Sequence, residues 1–482
     1  MKISGFEPRL YQEKIFASAA KRNTLVVLPT GLGKTMIAMM LAVHRGKTLF
    51  LAPTKPLPVQ HMEIFENYVD GEFVVLTGEV PPNKRVNVDA DVVFATPQTI
   101  ENDLIARRFK FDGVNLLVFD EAHRAVGEYA YVWLAKQYMK LAKNPLVLGL
   151  TASPGHTDEG VETICRNLHV KQVESRIEMD ADVSPYIMDK RINRVFIELP
   201  EGFGEIKRNM ERALAMSLRG LKLMGIIESA DISKVRKSEL LRLKNELASQ
   251  IGTEPKIYQA LSEVAVCIKV LHVLELLQTV GVKPLKSYFK KMREQTRVKA
   301  NKKLLANPYF NKAMVLSLES KIDHPKYDKL VKLLKKRRKQ ALVFTQYRDT
   351  CSEIVSRLRD AGFKATKFVG QAGKDGMSQK KQIETINEFK YGIHDVLVAT
   401  SIAEEGLHIP EIEIAVFFEP VPSALRSIQR KGRVGRTKFG EVYVLITKGT
   451  IDESYYWVSY HKERKMQKML EGMKQKKLNT FQ

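Results

Sequence analysis

The sequence predicts an α/β fold: two parallel-sheet domains with a helical domain inserted between them. Short apolar runs alternate with helical patterns in both halves of the chain, and a long middle stretch shows the helical pattern alone. In residues 1–195 the runs are TLVVLP (24–29), TLFLAP (48–53), FVVLTG (73–78), DVVFATP (91–97), LLVFDE (116–121) and LVLGLTAS (146–153). Continuous apolar runs, bounded by small or polar residues and separated by helices, suit strands buried on both faces of a parallel sheet. Ligands of such sheets sit beyond the carboxyl ends of the strands. From 196 to 322 apolar residues recur about every 3.6 positions and strand runs all but vanish, which predicts roughly three or four helices. Strand texture returns over 323–448 with QALVFTQ (340–346), KATKFVG (364–370), DVLVATS (395–401), IAVFFEP (414–420) and EVYVLIT (441–447). Residues 449–482 read as a basic amphipathic helix with Met466, Met469, Leu470 and Met473 on one face.

A chain of 482 residues exceeds what one core supports, and 44% hydrophobic residues suffice for several cores. The formal net charge is +23, from 78 Lys and Arg against 55 Asp and Glu. That excess favours a polyanionic partner, nucleic acid foremost, although a lysine-rich protein without such a partner has the same arithmetic. Cys165, Cys267 and Cys351 lie far apart, which argues against a disulfide framework or a zinc site. The chain opens without an apolar leader and holds no apolar run of about 18 residues. No membrane contact is therefore expected, and the reading is of a soluble, cytoplasmic protein.

LVVLPTGLGKTMIAMM (25–40) is a strand, a glycine-containing loop and an amphipathic helix, the context in which a phosphate loop works. N–H groups at a helix N-terminus meet anionic oxygens favourably. In that reading Leu28, Pro29, Thr30, Gly31, Leu32, Gly33, Lys34 and Thr35 form the cradle. Lys34 reaches the β- and γ-phosphates of ATP, and Thr35 offers its hydroxyl to the accompanying Mg²⁺. The usual spacing, G-x-x-x-x-G-K-[ST], puts glycine where this chain has Leu28; Gly31 supplies the flexibility instead. Taken alone, the intact Gly-Lys-Thr in this context favours a nucleotide site over the plain alternative, an ordinary strand–helix turn with a solvated lysine. LLVFDEAHRA (116–125) narrows the choice, because a strand ends there in two carboxylates 85 residues after Thr35. Asp120 at the strand end suits a Mg²⁺ ligand. Glu121 suits a base or water-orienting group. His123 is placed to couple the site to a neighbour.

PTGLGKT (29–35), DEAH (120–123), TASP (151–154) and QRKGRVGR (429–436) follow in an order that resembles the superfamily-2 helicases, across residues 6–447. LAPTKPL (51–57), ATPQTIENDL (95–104), FDEAHRAVGEYAY (119–131) and FFEPVPSALRSIQRKGRVGR (417–436) sharpen it. They resemble Hef, the archaeal helicase related to the Fanconi anaemia group M translocases. The resemblance implies RecA-like domains over 1–195 and 323–448 and a branched-DNA-contacting insert over 196–322. It implies a DEAH-box ATPase that moves 3′ to 5′ on forked, flap or four-way-junction DNA in replication-fork repair, associated with the chromosome. It also implies that Gln12 bonds the adenine edge with Arg9 nearby. Arg433 and Arg436 would neutralise charge on the transferred phosphoryl group from across the domain cleft, and Gln429 would contact the γ-phosphate or its water. By residue type alone, a Gln in the first helix is a surface residue and the Arg/Lys/Gly cluster is a phosphate-backbone patch. VATSIAEEGLHIPE (398–411), with Gly406, resembles the segment linking nucleotide to DNA, but His408 stands where most relatives carry Asp.

The resemblance places strand-binding loops on the face opposite the ATP cleft. These are Pro53, Thr54, Lys55, Thr96, Pro97 and Gln98 in the first domain, and Thr345, Gln346, Thr400 and Ser401 in the second. Small hydroxyls and backbone amides grip phosphates without regard to base sequence. The insert has its own signal: residues 283–312 hold ten basic residues and one acid, Glu294. Lys283, Lys286, Lys290, Arg293 and Arg297 are spaced to form one helical stripe beside apolar Leu285, Phe289 and Met292. A solvated face is the plain reading; DNA contact explains the scarcity of acidic partners. Two rival readings are a double-stranded-RNA-dependent ATPase of RIG-I-like type and a non-hydrolysing nucleic-acid platform. Many Hef-like proteins carry a nuclease domain after the motor, and these residues contain none, so DNA cutting is not expected of them. A sliding clamp or a nuclease as protein partner stays unassigned.

Overall fold

A computed structural model describes residues 1–86, 88–155, 157–186, 190–250, 255–295, 297–337, 339–371, 376–400, 412–420 and 440–476. Seven strands build the first sheet: β1 (Thr24–Val27), β2 (Thr48–Leu51), β3 (Phe73–Leu76), β4 (Val92–Ala95), β5 (Leu116–Phe119), β6 (Val147–Thr151) and β7 (Gln172–Ser175). They run parallel in the spatial order β3-β4-β2-β5-β6-β1-β7. Every residue of β1, β2, β4, β5 and β6 is buried. Alternate side chains enter separate cores: Leu25, Val27, Leu117 and Phe119 pack on one face, and Val26, Phe50, Val118 and Leu148 on the other.

The second sheet is also parallel. It consists of β8 (Lys190–Ile197), β9 (Ala341–Phe344), β10 (Ala365–Phe368), β11 (Val396–Ala399), β12 (Ile414–Phe417) and β13 (Gly440–Thr447), in the order β8-β13-β12-β9-β11-β10. The expected first-domain limit at 195 needs correction, because residues 190–197 pair along β13 in the second sheet. The sequence KRINRVFI hides this strand: it lies at a sheet edge and carries charges that a buried run would not.

Six helices, not three or four, form the insert: Phe203–Leu223, Lys237–Ser249, Pro255–Thr279, Val282–Glu294, Lys299–Ala306 and Pro308–Glu319. One break falls at Gly281, where φ is 86° and an added Cβ would stand 2.8 Å from the His324 Cβ. Another falls at Asn307, whose side chain accepts from the Phe310 N–H (3.0 Å) ahead of Pro308. The insert shares one apolar core with the second sheet: Leu214, Val273, Leu277 and Phe289 join Leu330, Val343 and Val416. The insert is therefore built onto the second lobe.

A buried polar cluster reinforces that joint. Lys326 and Asp452 are both fully buried and form an ion pair. The Lys326 ammonium also donates to the Thr279 carbonyl of the insert (3.1 Å), and Asp452 accepts from the Thr447 N–H (3.1 Å). Nearby, Glu419 accepts from the Thr345 hydroxyl (2.9 Å) and the Gln346 N–H (3.1 Å). The C-terminal helix Ile451–Lys476 leaves this cluster and runs back to the first lobe, where Met466 and Leu470 are buried in its core. The Met473 side chain lies outside the described residues. Among the described residues, no helix is long and apolar enough to cross a membrane.

Burial pushes the Glu419 carboxyl up to about 7, an effect that the Lys326 charge and the Thr345 hydrogen bond offset only in part. An unfolded glutamate releases its proton near 4.5, so the folded chain binds more protons between 4.5 and about 7. This contribution is full below the ordinary value and is lost as pH rises through about 7. Glu419→Gln cannot ionise. The stability of the parent relative to this variant should therefore fall between pH 5 and pH 8, as read by denaturant unfolding. A difference that is constant with pH would contradict a buried neutral Glu419.

Candidate functional site

Three adjacent strands, β5, β6 and β1, carry the chemistry at their carboxyl ends. After β1 the chain turns through Pro29–Leu32 into the helix Lys34–Arg45. Gly31 (φ 90°) and Gly33 (φ 69°) take the left-handed conformations this turn requires. A Cβ on Gly33 would stand 2.6 Å from the Gln12 amide nitrogen, so the loop is packed tightly against Gln12. Gln12 is itself buried, not a surface residue. Its amide donates to the Leu32 carbonyl (3.3 Å), its oxygen accepts from the Arg9 N–H (2.9 Å), and Tyr11 also donates to Leu32 (2.7 Å). The Arg9 guanidinium stacks over Tyr186, 4.8 Å from the ring centre.

Lys34 donates back to the carbonyls of Leu28 (3.1 Å) and Pro29 (3.5 Å). The first-turn N–H groups of the following helix have no acceptor within the helix. The Thr30 hydroxyl oxygen is buried without a hydrogen-bond partner. A glycine-containing loop that opens onto a helix N-terminus beside a lysine fits a nucleotide phosphate chain.

Asp120, buried at the end of β5, is fixed at its backbone. Its N–H donates to Leu51 (2.9 Å), and its carbonyl accepts from the hydroxyl of fully buried Tyr131 (2.7 Å). Burial pushes its carboxyl upward, but the hydrogen bond from His61, together with the Lys34 charge, holds it below its ordinary value. An ionised carboxylate across from the Thr35 hydroxyl is a hard oxygen pair of the kind Mg²⁺ accepts.

Glu121 adopts φ 49°, ψ 48°, a left-handed conformation that costs a non-glycine residue energy. His123 lies 3.4 Å from the Glu121 carboxylate and 3.1 Å from the Thr151 hydroxyl. Thr151 and Ser153 belong to the turn after β6, and Ser153 donates to Met466 of the C-terminal helix (2.9 Å).

The expected nucleic-acid loops of the first lobe also converge. Pro53, Thr54, Lys55, Thr96 and Gln98 line a cleft of ≈ 660 Å³ with Gly78, Pro81 and Arg85. Pro97 opens the adjoining helix Pro97–Ile105. These loops leave the same carboxyl edge as the ATP loops, at β2, β3 and β4, rather than an opposite face. Sheet order alone separates the two groups. The Thr54 hydroxyl is buried without a partner. The turn at 78–85 was missed; its signal was the Pro81–Pro82 pair followed by Lys84 and Arg85.

The second lobe departs from expectation. Thr345 is fully buried and spends its hydroxyl on Glu419, Gln346 is tied to Pro420 (3.2 Å), and Thr400 is buried. None of these three is an open phosphate grip. Ser401, Gly406, His408, Gln429, Arg433 and Arg436 lie outside the described residues. In the insert, Leu285, Phe289 and Met292 are buried as expected. The basic stripe is divided. Lys283 pairs with Glu353 (2.7 Å), Lys286 donates to the Ser320 carbonyl (2.9 Å), and the helix ends at Glu294, before Arg297. Acidic partners come from another element, which spacing along one helix cannot show. Lys290, Arg293 and Arg297 remain exposed.

His61 was not anticipated. It lies on the buried face of the helix Pro56–Tyr68, with Pro58 and Phe65. A polar residue at 61 in an otherwise apolar 58/61/65 stripe was the available signal. Its ring stacks on Phe50 at 4.4 Å and touches both Thr35 and Asp120.

A phosphate loop, a strand-end Asp–Glu pair and a coupled Thr-Ala-Ser turn, repeated against a second parallel lobe, define the ATP-dependent motor of superfamily-2 helicases. Three family models agree: "Type III restriction enzyme, res subunit" over 5–156, an "ATP-dependent RNA helicase, helical bundle" over 202–324, and "Helicase conserved C-terminal domain" over 325–438. The chain belongs to the Hef family of these helicases. It is 44% identical to the Pyrococcus furiosus Hef helicase domain, with a TM-score of 0.71, 94% of this chain and 98% of that one covered. It is 41% identical over 98% of its length to a Methanocaldococcus jannaschii protein named as an ATP-dependent RNA helicase, of which it spans 62%. It is 33% identical over 93% of its length to the Neurospora crassa ATP-dependent DNA helicase mph1, of which it spans 41%. The chain thus spans under two thirds of these two curated relatives.

Tyr131→Phe removes the donor to the Asp120 carbonyl while leaving the ring. It should lower unfolding free energy by about 1–3 kcal/mol, the cost of a buried carbonyl losing its partner. Denaturant unfolding checks this. An unchanged midpoint would mean that the Leu51 and Asp120 carbonyls are satisfied without the hydroxyl.

Proposed function

We propose that the chain is an ATP- and Mg²⁺-dependent translocase that moves 3′ to 5′ on DNA and unwinds or remodels forked or branched substrates. The convergence of phosphate loop, Asp–Glu pair and Thr-Ala-Ser turn on β1, β5 and β6 carries this reading. The DNA assignment rests on relatives named as ATP-dependent DNA helicases and on the +23 charge.

Bound Mg²⁺ would neutralise charge between the phosphates and polarise the one transferred. Thr35 and Asp120 hold it, Lys34 binds the phosphates, and Gln12 and Arg9 flank the base. Glu121 orients or deprotonates the attacking water. Arg433 and Arg436, with Gln429, complete the site from the second lobe, so hydrolysis couples to lobe opening and closure. His123, through Thr151, links the catalytic carboxylate to the turn after β6. The cleft at Pro53–Lys55 and Thr96–Gln98 takes the strand backbone.

Glu121→Gln should cut ATP turnover by about 100-fold or more while nucleotide binding persists. Equal turnover in variant and parent would reject the enzyme reading in favour of a passive platform. The RNA-helicase name of the Methanocaldococcus jannaschii relative keeps one rival alive, and stimulation of the ATPase decides it. Forked DNA should stimulate more than linear DNA or duplex RNA; preference for duplex RNA would overturn the DNA assignment.

Lys290, Arg293 and Arg297 are the exposed part of the basic stripe and contact the branch in this reading. Replacing all three with Gln should weaken forked-DNA binding. It should also flatten the salt dependence by roughly 0.9 for each phosphate that is no longer neutralised. Unchanged affinity and slope would return the stripe to a merely solvated face.

A further inference from the structure

His61 bridges two groups that the functional reading assigns to magnesium. One imidazole nitrogen lies 3.0 Å from the Asp120 carboxylate and the other 3.3 Å from the Thr35 hydroxyl. The ring is buried, packs against Phe50 with the two ring planes tilted by 36°, and is carried on the helix Pro56–Tyr68. Hydrogen-bond chemistry fixes the direction of each bond. An ionised carboxylate only accepts, so Nε2 carries the proton and donates to Asp120. In the tautomer that carries its proton on Nε2, Nδ1 accepts and the Thr35 hydroxyl donates to it. This arrangement spends the Thr35 proton and one Asp120 oxygen on His61. The Thr35 lone pairs and the second Asp120 oxygen remain as ligand donors.

We propose that His61 is a positioning residue for the magnesium–nucleotide complex: it holds the Thr35 hydroxyl and the Asp120 carboxylate in the orientation that leaves the lone pairs of the Thr35 oxygen and the second Asp120 oxygen for the ion. This rests on the ATP–Mg²⁺ reading above and adds to it a residue that belongs to neither the phosphate loop nor the DEAH segment. Metal ligands are commonly aimed by such supporting hydrogen bonds, whose loss weakens metal binding by about 10–100-fold. Here one ring aims two ligands from different elements, the helix Lys34–Arg45 and the end of β5, so its loss disorders both together. An apolar ring at position 61 would keep the stacking on Phe50 and lose only the aiming.

The test uses the whole chain and two variants. His61→Phe keeps a flat ring against Phe50 and removes both hydrogen bonds. His61→Gln restores a donor and an acceptor on one planar group. Equilibrium binding of a fluorescent ADP analogue is followed while MgCl₂ is titrated, and again in EDTA. The Phe variant should need about 10-fold or more Mg²⁺ for half of the metal effect. Its metal-free nucleotide affinity should match the parent, which also verifies the fold. The Gln variant should regain most of the parent response. A Phe variant with the parent Mg²⁺ response would overturn the role of His61. So would Phe and Gln variants that are equally impaired, because shape rather than hydrogen bonding would then be what matters. A parent whose nucleotide binding ignores Mg²⁺ altogether would instead defeat the functional reading, and this inference with it.

Discussion

A parallel sheet covered on both faces has no room for an unpartnered polar side chain along its strands, and that constraint organises the first lobe. Each of β1, β2, β4, β5 and β6 is buried from end to end. Groups that must meet water or an anion are driven to where the strands stop. Because all strands point the same way, those stops share one edge. Strand order then decides which polar loops become neighbours. The ends of β5, β6 and β1 stand side by side, though 116–119, 147–151 and 24–27 are far apart in the chain. The remaining ends, of β2, β3 and β4, form a second polar group on the same edge. Topology alone thus sets the phosphate loop and Asp120–Glu121 side by side and the cleft at Pro53–Lys55 and Thr96–Gln98 farther along the same edge.

The second lobe is held by a different logic. Its sheet and the insert share one apolar core, and the joint contains Lys326, Asp452 and Glu419, three ionisable groups away from water. Breaking a buried ion pair by removing one partner is costly, whereas apolar replacement of the whole set often is not. The cluster therefore counts for geometry more than for net stability. Lys326 reaches the insert at Thr279, and Asp452 starts the C-terminal helix. Insert, second sheet and C-terminal helix are joined at one point and must move together. The basic surface at Lys290 and Arg293 is then carried by the same body as the second sheet.

Much of this was legible in the residues. Eleven apolar runs read as strands all lie on strands of the two sheets, because a strand buried on both faces announces itself by composition. The phosphate loop and Asp120–Glu121 were legible because their chemistry is local to a strand end. What escaped depended on distant partners. β7 and β8 carry polar residues that only an edge position tolerates. Gln12 is polar, yet buried by the loop it supports. Thr345 reads as an open hydroxyl until Glu419, 74 residues away, takes it. The basic stripe looked unpaired because Glu353 comes from another domain. His61 escaped because neither the phosphate loop nor the DEAH segment contains it, and only folding sets it between them.

Glu121 shows how far such distant contacts reach. Its left-handed backbone is unfavourable for a side chain with a Cβ, by an amount of order 1–3 kcal/mol. Strain of that kind persists only where neighbours over-determine the geometry. Here the Glu121 carbonyl accepts from the Arg124 N–H (3.0 Å), and His123 is wedged between the Glu121 carboxylate and Thr151. The Thr151 hydroxyl in turn accepts from the Ser153 N–H (3.1 Å), and Ser153 touches Met466. The strained Glu121 thus stands at one end of an unbroken line of contacts, and a helix rooted in the second lobe stands at the other. A packed chain of this sort transmits a change only if its members have two arrangements. Glu121 supplies the reason to expect two: a residue held uphill has a relaxed alternative, and withdrawal of Met466 from Ser153 would remove part of what holds it.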